Sequence, residues 1–292
     1  MKKLLIPIFA VATLWGYGDG VIYWTPHNCD EGKKIYSKYT SSEKNTTHHK
    51  QEHSGKKHGG HGGGGESAMF ALMNLESNAS AVLIRPDLSN EPLNFTINTI
   101  TLPKPKTGGY YAMIAEANTT EYVYSAIRYV SMHGRPAGIS PTKLTALSKT
   151  ALEILPDPLH REHDRYTASK TYRFVAMFEG KPLANTAMTL ETHNTPAHSL
   201  TTDEKGVVKI TLPNDFKNVT PDRSANKPSE FLVTLQHDAN AKHYISTFTM
   251  PYSANPNDFW QSQEWGAGAI FIGFLGGLLI YRRQSTKGVQ RG

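Results

Sequence analysis

Two stretches of alternating residues decide the fold class of this chain: LNFTINTITL, Leu93 to Leu102, and GVVKITL, Gly206 to Leu212. Apolar side chains recur at every second position from Leu93 to Ile97 in the first stretch and from Val208 to Leu212 in the second. This is the period of a strand with one buried face. In the first stretch we expect Leu93, Phe95 and Ile97 to share one face. Both stretches therefore predict β-strands.

Similar short runs continue on either side of these stretches, from residue 68 to about residue 250. They are rich in Val, Ile, Thr, Tyr and Phe, and Pro, Gly and Asn separate them. Such strands are typical of sandwiches and not of α/β enzymes, and 292 residues leave room for about two domains. We therefore predict an all-β protein with two Ig-like or prealbumin-like β-sandwich domains, residues 68–145 and 150–252. The connector between them contains GISPTKLTALSKTALEILPDP, residues 138–158.

Both ends of the chain carry patterns that point to a membrane. Residues 1–18, MKKLLIPIFAVATLWGYG, place two lysines before an apolar stretch, which is the order of a secretory signal that is cleaved or kept as an anchor. An N-terminal segment, 19–40, follows. Near the other end, residues 265–281 form seventeen uncharged residues that end at Arg282 and Arg283, just enough for a transmembrane helix.

The charges around the C-terminal span predict its orientation. The tail, residues 282–292, is basic and has no acidic residue, and positive flanks stay in the cytoplasm. We therefore expect a protein of the inner membrane with a single C-terminal span and its body in the periplasm. Gly273 and Gly277 form a small-xxx-small pair that would allow two such helices to self-associate.

The distribution of charge excludes nucleic acid as a partner. The formal net charge is +6, and the six basic residues at the two ends account for all of it, so residues 4–281 are balanced. A phosphate backbone requires a basic surface that this body lacks. The sequence also lacks G-x-S-x-G, H-E-x-x-H, P-loop and Cys-x-x-Cys motifs, so we expect no enzymatic activity.

Residues 41–67 are polar, glycine-rich and of low complexity, and we predict a disordered loop there. Within fourteen residues this loop holds five histidines: His48, His49, His53, His58 and His61. Neutral imidazole is a good ligand for Ni, Co, Cu and Zn, so the loop is a predicted site for a divalent transition metal ion. The alternatives are a hydrophilic spacer and a sensor of pH or metal.

Two smaller groups of potential ligands lie elsewhere in the chain. His27 and Cys29 form a His-x-Cys pair beside Asp30 that suits Cu or Zn. His160 and His163 form a His-x-x-His pair in the polar run HREHDR between the two predicted domains. The alternative for this second pair is a solvated connector.

Three motifs give the chain a family resemblance: LEI-x-P at residues 152–156, G-K-P-L at 180–183 and T-D-x-x-G at 202–206. With them, residues 68–250 resemble a periplasmic domain family similar to the periplasmic component of ABC-type cobalt and nickel uptake systems. The resemblance implies an exported β-sandwich tied to transition-metal handling, with an early histidine as a ligand. Thr13 stands where that histidine is expected. Physically, Gly180 and Gly206 suit turns that need positive φ.

These observations predict a membrane-anchored periplasmic accessory protein that binds transition metal ions and assists their transport. Its expected partners are the membrane and inner-membrane components of a metal transporter. The alternative function is a structural or protein-interaction β-sandwich module in which the histidine-rich loop is only a spacer.

Overall fold

A computed structural model describes residues 20–27, 68–75, 78–105, 107–160, 165–220, 226–255, 258 and 263–288. In these ranges the strands are β1 Tyr23–Pro26, β2 Met69–Met73, β3 Ser80–Ile84, β4 Asn90–Leu93, β5 Thr99–Thr101, β6 Thr107–Asn118, β7 Tyr122–Met132, β8 Arg135–Pro136, β9 Leu152–Pro156, β10 Tyr166–Thr167, β11 Thr171–Phe178, β12 Lys181–Pro182, β13 Ala187–Thr192, β14 His198–Thr201, β15 Val207–Thr211, β16 Ser229–Ala239 and β17 Lys242–Ser253. The helices are α1 Pro141–Ala146 and α2 Gln263–Gly288.

The strands form three sheets, which confirms the predicted all-β sandwich class. The central sheet has ten strands in the order β14-β13-β16-β17-β7-β6-β3-β4, with β10 beside β17 and β8 beside β6. One outer sheet has the order β1-β2-β5, and the other has β11 between β9 on one side and β15 and β12 on the other.

The two outer sheets cover opposite faces of the central sheet. In β6, Ala112 and Ile114 belong to a core cluster shared with Phe174 of the β11 sheet, whereas Tyr111 and Met113 belong to one shared with the β1 sheet. Successive residues of a strand point to opposite faces, so both faces of β6 are buried. This double burial explains why the sequence of β6 is apolar almost without interruption.

A parallel pairing joins the two predicted sandwich segments into one sheet. Residues Tyr122–Ile127 of β7 pair with His243–Phe248 of β17. β1 covers this seam on one face, where the Thr247 hydroxyl donates to the Ile22 carbonyl (2.6 Å). On the other face the Ser125 hydroxyl donates to the carbonyl of Leu152 in β9 (3.2 Å). The assignment of residues 68–145 and 150–252 to two domains stays a prediction. Strands from both segments nevertheless belong to the same central sheet.

The two stretches that predicted the fold have different outcomes. In the second, Val208 and Ile210 of β15 are buried, as is Leu212 directly after it, which confirms the alternation. In the first, the prediction that Ile97 shares a face with Leu93 and Phe95 is wrong. Ile97 is 61% exposed with φ +60, because Thr96 and Thr99 exchange two backbone hydrogen bonds around a tight turn.

The connector and the two motif turns are ordered. The connector contains α1, capped by the Ser140 hydroxyl, and its last part is β9, with Ile154 fully buried. Gly180 and Gly206 both have φ +74, as their turns require. In the second turn the Asp203 carboxylate accepts from the backbone N–H of Lys205 and Val207, which lowers its pKa.

The C-terminal apolar segment forms the long helix α2. Residues Gly266–Arg283 make it long and apolar enough to cross a membrane, and none of this stretch is buried against the protein. A Cβ added at Gly273 or Gly277 would meet nothing within 4 Å. The helix extends beyond the predicted span into the basic tail, as far as Gly288.

Candidate functional site

The central sheet splits at one end. After Ile127 and Phe248, β7 stays paired with β6 but no longer pairs with β17. Nearer the end of β17, β10 pairs with it in parallel, with Tyr166 opposite Tyr252. Pro251 lies between these two pairings and has no N–H to offer a neighbouring strand. A pocket of about 360 Å³ opens in this gap, and we call it the fork pocket; its lining includes Phe70, Arg128, Tyr129, Tyr166, Met250 and Pro251.

A buried ion pair forms part of the wall of the fork pocket. The Arg128 guanidinium donates to both carboxylate oxygens of Glu230, at 2.5 and 3.1 Å, and more weakly to the Thr249 hydroxyl at 3.4 Å. It also lies 5.3 Å from the centre of the Phe70 ring. Both charged residues are buried, and together these contacts fix the position of the Arg128 guanidinium.

Two tyrosines that line the pocket have buried hydroxyls. The side-chain oxygens of Tyr129 and Tyr166 are buried without a hydrogen bond to any residue that the structure describes. Burial raises the pKa of both phenols, and a nearby charge, Glu153 for Tyr129, raises it further. Both hydroxyls therefore stay protonated at physiological pH.

Among the residues that the structure describes, His160 is the one predicted ligand that lines this pocket. Its ring packs edge-on against Tyr166, with ring centres 4.7 Å apart, and against Tyr172 at 4.8 Å. Arg165 also lines the pocket and is exposed. His163, the other half of the predicted His-x-x-His pair, lies outside the described residues.

The structure shows where the histidine-rich segment enters and leaves the sandwich. Residues 28–67, with the predicted ligands Cys29, His48, His49, His53, His58 and His61, lie outside the described ranges. The residues on either side of them are held together, because the backbone N–H of His27 donates to the Met69 carbonyl (3.0 Å) and Pro26 pairs with Phe70. The segment is therefore a long insert between two antiparallel neighbours, β1 and β2.

The base of the insert lies at the forked end of the sheet. β1 runs in the same direction as β17, because the hydroxyls of Thr247 and Thr249 donate to the carbonyls of Ile22 and Trp24, respectively. β1 therefore ends where β17 ends, and Phe70, the partner of Pro26, lines the fork pocket. His27 and His160 thus belong to the same end of the molecule.

Within the part of the chain that the structure describes, no group of three or more His, Cys, Asp or Glu side chains is placed to hold a metal ion. The donor chemistry that suits Ni, Co, Cu or Zn is the imidazole set of the insert.

Sequence reasoning missed the residues of the fork pocket, although the strands contain a signal for them. Arg128 and Glu230 interrupt the apolar runs AIRYV and SEFLV, and a charge inside a buried strand needs a partner. The sequence shows that each charge needs a partner, but not which partner it has. Nothing in the sequence distinguishes Tyr129 and Tyr166 from the other tyrosines of the core.

No family model matches the chain, and no curated protein matches it. Solved structures that match include a bacterial ice-binding adhesin, at 9% identity and a TM-score of 0.24. The match covers 65% of this chain and 58% of the adhesin chain. A two-domain fibronectin type-III segment of chicken tenascin matches at 7% identity and a TM-score of 0.21, over 63% of this chain and 91% of that one. The D0-D1 domain of intimin matches at 18% identity and a TM-score of 0.20, over 64% of this chain and 91% of that one. The fold assignment therefore rests on the strand pairing itself.

Proposed function

We propose that this protein is a membrane-anchored β-sandwich of the periplasm that binds a divalent transition metal ion, Ni, Co, Cu or Zn, and assists its transport. The ion is held by the histidine-rich insert. The observation that carries the proposal is the position of the base of the insert, at the end of the sandwich from which the chain continues to α2.

The distance from the sandwich to the helix is short. Asp258 is held to the sandwich, because its carboxylate accepts from the Ser169 hydroxyl (2.6 Å) and from the Asn255 amide (3.1 Å). Five residues further on, α2 begins at Gln263. Five residues span at most about 18 Å, so a membrane-inserted α2 keeps the forked end close to the bilayer. An ion bound in the insert is then close to transporter components in the same membrane.

Export of the body fits the position of β1. Val21, Ile22, Tyr23 and Trp24 are buried in the sandwich, so the exported chain needs these residues. A signal that ends at residue 18 leaves all of them in place. This supports the predicted division between residues 1–18 and the remainder of the chain.

The first test is isothermal titration of the full chain in lipid nanodiscs with Ni²⁺, Co²⁺, Cu²⁺ and Zn²⁺ in turn. We expect about one or two ions per chain, since five imidazoles supply at most about one or two tetrahedral sites. Affinity should fall as the pH drops through about 6.5, because imidazole must be neutral to bind the ion.

The decisive variant replaces His48, His49, His53, His58 and His61 with Ser, and it should lose most of the binding. Its control replaces four lysines of the same insert, Lys44, Lys50, Lys56 and Lys57, with Ser, and it should bind at least as well as the natural sequence. Unchanged affinity in the five-histidine variant would refute the proposal. The insert would then be a spacer, and the alternative function as an interaction module would take its place.

A further inference from the structure

We propose that the turn between β6 and β7 carries an N-linked glycan on Asn118. The acceptor pattern of this modification is Asn-x-Ser/Thr, which belongs on the surface of an exported protein. The proposal depends on the predicted export of the body and is independent of metal binding by the insert. Its evidence is a five-residue pattern that recurs in the sequence, together with the exposure of the turn that contains one copy of it.

The sequence contains five acceptor patterns, which begin at Asn45, Asn78, Asn94, Asn118 and Asn218. In three of them, at Asn45, Asn78 and Asn118, a Glu stands two positions before the Asn. Acidic residues occupy 25 of the 292 positions, so fewer than one of the five patterns is expected to have one there by chance. The recurrence indicates that Glu-x-Asn-x-Ser/Thr is recognised as a unit, with the carboxylate bound by a basic side chain of the transferase.

The structure favours Asn118 among these three asparagines. Asn45 lies outside the described residues, and the side-chain amide of Asn78 donates a hydrogen bond to the backbone carbonyl of Asn118. Asn118 is exposed, and its own side-chain amide makes no hydrogen bond to any residue that the structure describes. The nitrogen that has to react is therefore unengaged at Asn118.

The turn leaves both residues that define the acceptor accessible. Thr119 closes it, because its backbone N–H donates to the Tyr122 carbonyl (2.8 Å) and its hydroxyl accepts from the Tyr122 N–H (2.9 Å). Thr120 is exposed, and within the described ranges its hydroxyl has no hydrogen bond. Asn118 and Thr120 are thus open to solvent while the residue between them holds the turn.

The fold has room for a glycan at this position. The turn precedes β7, whose 11 residues run toward the forked end, and a strand of that length spans about 36 Å. A glycan on Asn118 is therefore far from a membrane-inserted α2. Glu116 is half-buried in β6, so a transferase reads the pattern before the hairpin closes. Exposed Asn118 then keeps the glycan outside the core.

The transfer needs a sugar donor in the membrane, a lipid-linked oligosaccharide diphosphate. The Nδ2 nitrogen of Asn118 forms a bond to the anomeric carbon as the bond from that carbon to the diphosphate oxygen breaks. The lipid diphosphate leaves with the electron pair, and one amide proton passes to a base of the transferase. The step balances without an oxidant or a reductant.

The test is peptide mass spectrometry of the full chain purified from the membranes of its native host. Trypsin releases residues 107–128, in which Asn118 is the only asparagine. We expect most copies of this peptide to carry the added mass of an oligosaccharide on Asn118. Asn94 and Asn218 are matched controls, since both are exposed acceptors that lack the preceding Glu, and they should stay unmodified.

Paired variants expressed in the same host connect the modification to the pattern. Thr120→Val should lower the occupancy of Asn118 about tenfold or more, because the hydroxyl of the acceptor is lost. Thr120→Ser keeps that hydroxyl and should leave the occupancy unchanged. Glu116→Gln should lower it about tenfold, because a charged contact with the transferase is lost. Glu121→Gln removes an exposed carboxylate just outside the pattern and should have no effect.

Three results would overturn the proposal: an unmodified peptide 107–128, unchanged occupancy in Thr120→Val or in Glu116→Gln, and equal occupancy of Asn94, Asn118 and Asn218. Proteinase added to spheroplasts of the same cells measures export separately, through digestion of the body. A failure of the predicted localisation is thereby distinguished from a failure of glycosylation. None of these results bears on metal binding by the insert.

Discussion

Arg128 and Glu230 form an ion pair that passes over a strand. Arg128 lies on β7 and Glu230 on β16, and β17 separates these two strands, with Thr249 beneath the contact. Moving two charges out of water costs free energy, which the paired hydrogen bonds offset only while both partners are present. The pair therefore ties the two halves of the sheet together at the point where the strands diverge.

We expect Arg128→Met alone to lower the free energy of unfolding by about 3 to 5 kcal/mol, because it leaves the Glu230 charge buried without a partner. The double variant Arg128→Met with Glu230→Leu should lose much less, since no buried charge remains. Urea unfolding of the full chain in detergent micelles, followed by tryptophan fluorescence, measures both. A double variant as unstable as the sum of the two single variants would show that the residues act independently.

For single residues, the sequence predicts which side chains are buried better than it predicts which residues they contact. Alternation in GVVKITL correctly placed Val208 and Ile210 in the core. The same pattern failed at Ile97, because a two-residue turn reverses the chain and turns its side chain to solvent. The alternation changes phase between Ile97 and Ile100, and this change is the sequence signal of the turn. The orphaned hydroxyl of Tyr129 is likewise set by neighbours that are distant in sequence.

The role of β1 depends on contacts that are distant in sequence. It has four residues and is separated from its partner β2 by residues 27–68. Trp24 is 1% exposed, and its indole N–H donates to the Ala126 carbonyl of β7 (3.2 Å). Its ring lies 6.1 Å from that of Phe95. The first strand therefore packs across the seam between β7 and β17.

We expect Trp24→Ala to cost about 3 to 5 kcal/mol of stability, the usual effect of removing a buried aromatic ring. Met69→Ala, on the neighbouring strand but 40% exposed, is the control and should cost much less. Chemical unfolding of the full chain compares the two. If Trp24→Ala were no more harmful than Met69→Ala, β1 would not be part of the cooperative core.

Elements were predictable where their signal is local. The runs from β6 to β17 stand out by composition, and the apolar run that forms α2 is evident by length. The pairing of β1 with β2 was not predictable, because it closes a loop of about forty residues that no short-range pattern encodes. The parallel pairing of β7 with β17 was not predictable for the same reason, since it joins residues more than a hundred positions apart.

The whole molecule has two distinct ends. Its forked end carries the fork pocket, the base of the insert and the chain that leads to α2. At the opposite end lie the turns that precede β7 and β17. Among the sequence predictions, the histidine-rich insert, the predicted span and the sandwich were recognised separately. Their arrangement at one end became evident only from the direction of β1 relative to β17.

Metal held at the forked end is the central claim, and a distance between two spins tests it most directly. Glu121 and His133 are exposed and flank the two ends of β7, about 40 Å apart for a twelve-residue separation. Each is changed to Cys in a Cys29→Ser background and carries a nitroxide, while the full chain in nanodiscs is loaded with Cu²⁺. Pulsed electron resonance then measures the distance from the ion to each label.

We predict a shorter distance from Cu²⁺ to the label at position 133, at the forked end, than to the label at position 121. The five-histidine variant should lose the signal at both positions. Equal distances, a shorter distance to position 121, or no dipolar signal in the chain with its histidines intact would contradict the account.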